Sequence, residues 1–407
     1  MAVLGTIPRW ADREQELHER AVACEGGADD FGDPSYLEPL RILLDSYDHE
    51  ARFTRSGKVM AEYFLVNILR GRLRAERWWA LRPSALDVPI ERPIIITGLV
   101  RTGSTALHYL MGSNPDTQCL AYWLATHPQP RPPRHSWEAA YDYAATESEL
   151  RMIYLGGEKL ESIHHMTAPG PEECRHFLAQ SFTDDYFEVA STVPTYAEWY
   201  RSHHQVESYR RHKKLVQLVG SYDVGTRWLL KYPVHIRHID ALLEVYPDAC
   251  IVWTHRDPAS VLASYVGLCE GFRTLQEVPP NRAQFAQHQL DVWSEAMTRG
   301  LAARAGREDQ FHDVWFDDLL ADPMGTVAAI YDHFDEPFSA DAERTMAAWQ
   351  ADNPPGKFGE HTYGKDDFGL TAGAIHERFA DYVARFFPDL AGGTPGAAGA
   401  SGPGAAS

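Results

Sequence analysis

Arg92-Pro93-Ile94-Ile95-Ile96-Thr97-Gly98-Leu99-Val100-Arg101-Thr102-Gly103-Ser104-Thr105-Ala106-Leu107-His108 is the stretch from which the rest of the chain is read. A short β-branched run held between a proline and a glycine predicts a buried strand. After Gly103, Leu107, Leu110 and Met111 recur at helical spacing, so a helix follows. The Gly-rich turn between them, with the unpaired N–H groups of the first helical turn, makes a nest for anionic oxygens. Gly98 and Gly103 keep the spacing of a nucleotide-hydrolase phosphate loop, but Ser104 stands where those enzymes place the lysine that reaches a triphosphate. The basic residue sits inside the loop instead, at Arg101.

Around this unit lies a chain of 407 residues, 44% of them hydrophobic, which is enough for a large core and long enough for two or three domains. Its 38 basic residues stand against 57 acidic ones, a net charge of −19, which argues against a nucleic-acid or anionic-membrane surface. Any anion must therefore be gripped locally. Five cysteines, an odd number without a C-x-x-C pair, suit a reducing compartment. The start has no charged-then-apolar leader pattern and no run of eighteen apolar residues occurs, so a cytoplasmic protein without a transmembrane segment is expected.

From residue 8 to about 90 the pattern is helical, with amphipathic repeats over Tyr36 to Phe53 and Lys58 to Trp79. Trp78 and Trp79 either pack this layer on the main domain or wall an apolar pocket. Helical patterns return at 135 to 155, 194 to 219, 236 to 246, 282 to 305 and 371 to 387. Pro169-Gly170-Pro171-Glu172-Glu173-Cys174-Arg175 opens an apolar-periodic helix, with Pro171 and the two carboxylates in its first turn. Its acids either complement the dipole of that helix or face a site. Arg227-Trp228-Leu229-Leu230-Lys231 reads as a buried strand ending on a lysine, at the strand end where an open α/β sheet binds its ligand. Ala249 to Thr254 is another strand; Asp257 then caps a helix that starts at Pro258. Arg256 at its entrance and Ser264 two turns in can reach one phosphate with a guanidinium fork and a hydroxyl. Phe311 to Phe316 adds a further strand. The histidine pairs at 164–165 and 203–204 lack a metal-binding spacing, and no metal is expected.

Three of these segments, in this order, resemble the sulfotransferases that use 3′-phosphoadenosine 5′-phosphosulfate (PAPS), and the resemblance runs from about 93 to 385. Arg101-Thr102-Gly103-Ser104-Thr105 matches their 5′-phosphosulfate loop, with Val100 replacing the usual proline. The Leu229-Leu230-Lys231 phrase implies that Lys231 holds the bridging oxygen of the phosphosulfate. The Arg256-Asp257-Pro258 to Ser264 pattern matches the 3′-phosphate motif. The Pro171-Glu172-Glu173-Cys174 segment is similar to one in the bacterial branch, which acts on lipids, phenols, steroids or polyketides. Eukaryotic members add a Gly-rich phosphate clamp that this chain lacks; Lys357 in the Gly356-Lys357 loop is the candidate substitute, an ordinary surface loop the alternative.

The resulting expectation is an α/β fold with a P-loop-like, mainly parallel central sheet flanked by helices and an all-helical N-terminal layer. Residues 1–92 form that layer, 93–390 the PAPS-binding domain, and 391–407, rich in Gly, Ala and Pro, a disordered tail. The resemblance implies metal-free sulfuryl transfer from PAPS to a hydroxyl of a small, apolar or aromatic acceptor, leaving adenosine 3′,5′-bisphosphate. Arg101, Thr102, Gly103, Ser104, Thr105, Arg256, Ser264 and Lys357 would hold the nucleotide and Lys231 the transferring group. Glu172, Glu173 or His235 would take the acceptor proton. An ATP-dependent phosphoryl-transfer enzyme, disfavoured by Ser104, and a silent nucleotide-binding protein are the alternatives. The acceptor and the oligomeric state stay open.

Overall fold

Five parallel strands make one sheet: β1 (Ile94–Gly98), β2 (Thr117–Cys119), β3 (Arg227–Lys231), β4 (Cys250–His255) and β5 (Phe311–Trp315), in the order β2-β3-β1-β4-β5. This computed structural model describes residues 9–156, 166–278, 281–354 and 369–391. The central strand sets the register: Ile96 lies opposite Lys231 on one side and Val252 on the other, and Gly98 lies opposite Thr254. The loop after β1, the last residue of β3 and the segment after β4 therefore leave the sheet along the same edge, where open α/β sheets place their ligands.

Near-continuous apolar strands are what a parallel sheet covered on both faces requires. Alternation divides them: Ile95, Leu230, Ile251 and Trp253 pack to one face, and Ile94, Ile96, Leu229 and Val252 to the other. Ahead of β1 the described chain is helical, with helices Glu14–Cys24, Leu37–His49 and Arg55–Leu81. They enclose a separate core of Leu40, Leu43, Leu65 and Leu69, closed from the sheet-bearing part by Phe182, Tyr196 and Tyr200. Buried Arg72 ties the two together. Its guanidinium donates to the carbonyls of Phe31 (2.8 Å), Asp33 (2.9 Å) and Gln180 (2.7 Å) and lies 3.9 Å from the Tyr36 ring centroid.

The structure departs from the sequence reading at several points. β2 carries no sequence signal of its own, being three residues long and paired only with β3. The pattern over 194–219 splits into Pro194–Ser202 and Val206–Val219. Glu172 and Glu173 lie on an extended segment rather than in a helix: Pro171 bridges to Ala121, the Glu172 N–H donates to Leu120 O, and the helix begins only at Arg175. A dipole role for these acids is thereby set aside. Lys357 and residues 392–407 lie outside the described residues. Among the described residues no helix is long and apolar enough to cross a membrane.

Candidate active site

The loop after β1 is shaped by three left-handed backbone positions, Gly98 (φ 138°), Arg101 (φ 59°) and Gly103 (φ 82°). At Gly98 a Cβ would stand 2.4 Å from the carbonyl oxygen of Thr254, so only glycine lets β1 and β4 stay paired where the loop turns. Gly103 caps the helix Ser104–Gly112 and points its first N–H groups across the sheet edge. Thr102 faces inward: its hydroxyl donates to Leu99 O (2.7 Å) and pairs with Thr254 Oγ1 (2.6 Å), which fixes the loop to β4.

The segment after β4 meets this loop directly. Asp257 caps the helix Pro258–Gln276 by accepting from the Ala259 N–H at 3.0 Å, and Pro258 takes its first position. Arg256 Nη1 donates to Arg101 O at 3.1 Å, and Arg101 Nε donates to Ser264 Oγ at 3.1 Å. Two motifs 155 residues apart thus form one cationic corner. From β3, Lys231 reaches the same place: its Nζ donates to Thr105 Oγ1 (3.2 Å) and to Glu173 Oε1 (2.6 Å). Arg101, Lys231 and Arg256 thus converge on a helix N-terminus in a chain of net charge −19.

Beside this corner is a cavity of about 360 Å³. Arg101, Gly103, Ser104, Thr105 and Arg256 form its polar end together with Glu172 and Glu173. Tyr186, Val189, Tyr265, Leu268 and Phe272 supply an aromatic and aliphatic wall. The lining begins at Val100, so Trp78 and Trp79 do not wall it; Trp79 is buried in the core, with the Arg211 guanidinium 5.2 Å from its ring.

Residues 93–340 match the model of the sulfotransferase family. The chain belongs to that family. Two solved sulfotransferases share its fold: STF1 from Mycobacterium tuberculosis H37Rv is 39% identical, with a TM-score of 0.83 over 92% of this chain and 100% of that one. STF9 from Mycobacterium avium is 28% identical, with a TM-score of 0.85 over 92% and 96%. The omega-hydroxy-beta-dihydromenaquinone-9 sulfotransferase Stf3 of Mycobacterium bovis and of M. tuberculosis is 25% identical over 278 residues, 62% of this chain. The chain covers 65% of the length of those curated relatives.

In this chain the two candidate glutamates occupy different environments. Glu173 is held by the Lys231 ammonium. Glu172 is 5% exposed, and burial, reinforced by the neighbouring Glu173 charge, pushes its carboxyl up to about 7. Lys231 and Arg175 pull the other way and are outweighed. Arg175 is itself engaged, donating to Asp184 Oδ2 at 2.9 Å. His235 does not line the cavity: it is fully buried, its Nδ1 is 2.8 Å from the Tyr209 hydroxyl, and burial holds its imidazole well below the usual range. The geometry therefore separates His235 from the other two candidates for the base.

Several lining groups escape the sequence reading. Phe316, from the segment after β5, carries the Arg256 guanidinium 4.0 Å from its ring centroid, a cation–π contact. Tyr232 follows Lys231 and hydrogen-bonds Asp184 (2.7 Å) and Asp185, whose carboxyl is pushed up to about 8 by burial and the Asp184 charge. The tandem acids and the tyrosine beside the lysine were visible signals, but only the fold brings them to one wall.

Proposed function

We propose that this sulfotransferase moves a sulfuryl group from PAPS to the hydroxyl of a small apolar or aromatic acceptor. The observation that carries the reading is the joined cationic corner, Arg256 to Arg101 to Ser264, opening beside an aromatic cavity. The donor set fits the nucleotide: a loop of N–H groups with Ser104, Thr105 and Lys231 for one phosphate end, and Arg256 with Ser264 for the other. PAPS supplies the activated sulfuryl group. The protein's part is to neutralise the anionic oxygens, which Lys231 and the loop amides do at the transferring end, and to take a proton at the acceptor end. Glu172 is assigned as that base, because a carboxyl near 7 is half ionised at neutral pH and is strong enough to accept from an alcohol as its bond to sulfur forms. Glu173 positions Lys231 through their ion pair. The Stf3 relatives carry an omega-hydroxy compound in their name, which supports a hydroxyl acceptor here.

Isothermal calorimetry tests the donor class. Adenosine 3′,5′-bisphosphate is expected to bind far more tightly than AMP, since Arg256 and Ser264 serve a 3′-phosphate. Equal affinities would remove the assignment.

A further inference from the structure

Outside the cavity lining, Cys174, His212 and His235 come together from three elements: the loop after Glu173, the helix Val206–Val219 and the turn after β3. All three are buried to within 1% of full enclosure, and their potential ligand atoms lie within 4.8 Å of one another. The two imidazoles stand at 84° with ring centroids 6.0 Å apart, so their edges converge rather than stack.

The hydrogen bonding singles out which atoms converge. His212 Nδ1 pairs with the Tyr246 hydroxyl and His235 Nδ1 with the Tyr209 hydroxyl, each at 2.8 Å. The opposite nitrogen of each ring, Nε2, has no hydrogen-bond partner although both rings are buried. The phenol on Nδ1 fixes the orientation of each ring; in the tautomer whose Nδ1–H donates to the phenol oxygen, Nε2 presents a lone pair, as in metal-bound histidines.

We propose that Cys174, His212 and His235 form a structural site for a soft d¹⁰ metal ion, Cu⁺ or Zn²⁺. One thiolate and two imidazoles are the donors these ions select, and no carboxylate enters the triad. Metal–nitrogen and metal–sulfur bonds of roughly 2.0–2.3 Å place the ligand atoms about 3.3–3.9 Å apart, so the site closes with a contraction of about 1 Å. Binding replaces the Cys174 S–H bond by a sulfur–metal bond and releases one proton to solvent, with no change of oxidation state. Cu⁺ with one thiolate leaves the buried site neutral and three-coordinate; Zn²⁺ leaves one positive charge and requires a fourth donor. Cys174 adjoins Glu173, and its N–H donates to Lys231 O at 3.0 Å, so the ion would clamp the glutamate segment to the end of β3.

The test loads the full chain, freed of metal by chelator dialysis, with Zn²⁺ in one arm and with Cu⁺ under anaerobic reductant in the other. After gel filtration, retained metal is measured by mass spectrometry and unfolding is followed by circular dichroism. One ion per chain is expected in at least one arm, with a raised unfolding midpoint, and about tenfold or greater loss of retention in Cys174→Ser and His212→Gln. The arm that retains metal identifies the ion. If Cys174→Ser does not unfold cooperatively, His212→Gln decides alone. No retention in either arm, or equal retention by wild type and the folded variants, overturns the proposal.

Discussion

Replacing Glu172 by glutamine removes a titrating base while keeping its shape, and the structure gives both the direction and the size of what should follow. With the carboxyl near 7, roughly a tenth of the protein carries the ionised base at pH 6 and roughly nine tenths at pH 8, so wild-type kcat should rise about ninefold over that interval and then level. The glutamine variant should lose about 10²- to 10⁴-fold in kcat, more for an aliphatic alcohol than for a phenol, and its profile should be flat. Its affinity for the bisphosphate should be unchanged. The same burial predicts an opposite effect on stability. A carboxyl raised from an ordinary 4.5 to about 7 binds its proton more tightly in the folded state. Folded and unfolded chains are alike below about 4.5; between 4.5 and 7 the unfolded chain releases the proton first and stability falls as pH rises; above 7 the full cost, on the order of 3 kcal/mol, is present. Glu172→Gln should accordingly be the more stable protein at pH 8, with the gap closing by pH 5, as read by urea unfolding at both pH values. Normal turnover of the variant, or a wild-type kcat flat from pH 6 to 8, would refute the assignment of the base.

Arg256→Ala should weaken bisphosphate binding by about 10- to 150-fold, the worth of a charge-assisted hydrogen bond, and leave AMP binding nearly unaltered, both measured by calorimetry. Gly98→Ala should lower the unfolding midpoint and abolish nucleotide binding, because its Cβ meets the Thr254 carbonyl at 2.4 Å in a left-handed backbone position; a variant with wild-type melting would contradict that packing. Turnover in metal-depleted buffer should not increase on adding Mg²⁺, since Arg101, Lys231 and Arg256 supply the positive charge; magnesium-dependent turnover with ATP would favour phosphoryl transfer.

What could be read from the chain was whatever is written in contiguous residues. β1, β3 and their flanking turns are short apolar runs with sharp boundaries, and the Asp257-Pro258 cap is a local rule, so strand ends and helix start fall where the residues place them. Arg101, Lys231 and Arg256 were named because each sits at the end of such an element, and Ser264 because it lies two turns into the helix that Arg256 precedes. Their mutual contacts follow from the strand order, with β1 between β3 and β4, which no single segment encodes. The acids show the limit from the other side. Helical periodicity after Cys174 suggested a helix through Glu172 and Glu173, but a bridge between Pro171 and Ala121, fifty residues earlier, draws that segment straight. His235 follows Lys231 by four positions, but the turn after β3 carries it out of the cavity lining, to Tyr209. Cys174, His212 and His235 share no spacing rule at all, and only packing brings them together.

The segment that defines the family, 93–340, is not a portable module. Arg72 lies outside that segment, and one of its carbonyl partners, Gln180, lies within it; the core under the first three helices is capped by Phe182, Tyr196 and Tyr200, also within it. Excising the N-terminal helices would strip those rings of their cover and leave Gln180 O buried without its donor, a penalty of several kcal/mol on a fold whose whole margin is about 5–15 kcal/mol. Grafts, chimaeras and domain fusions built on the family boundaries would therefore aggregate.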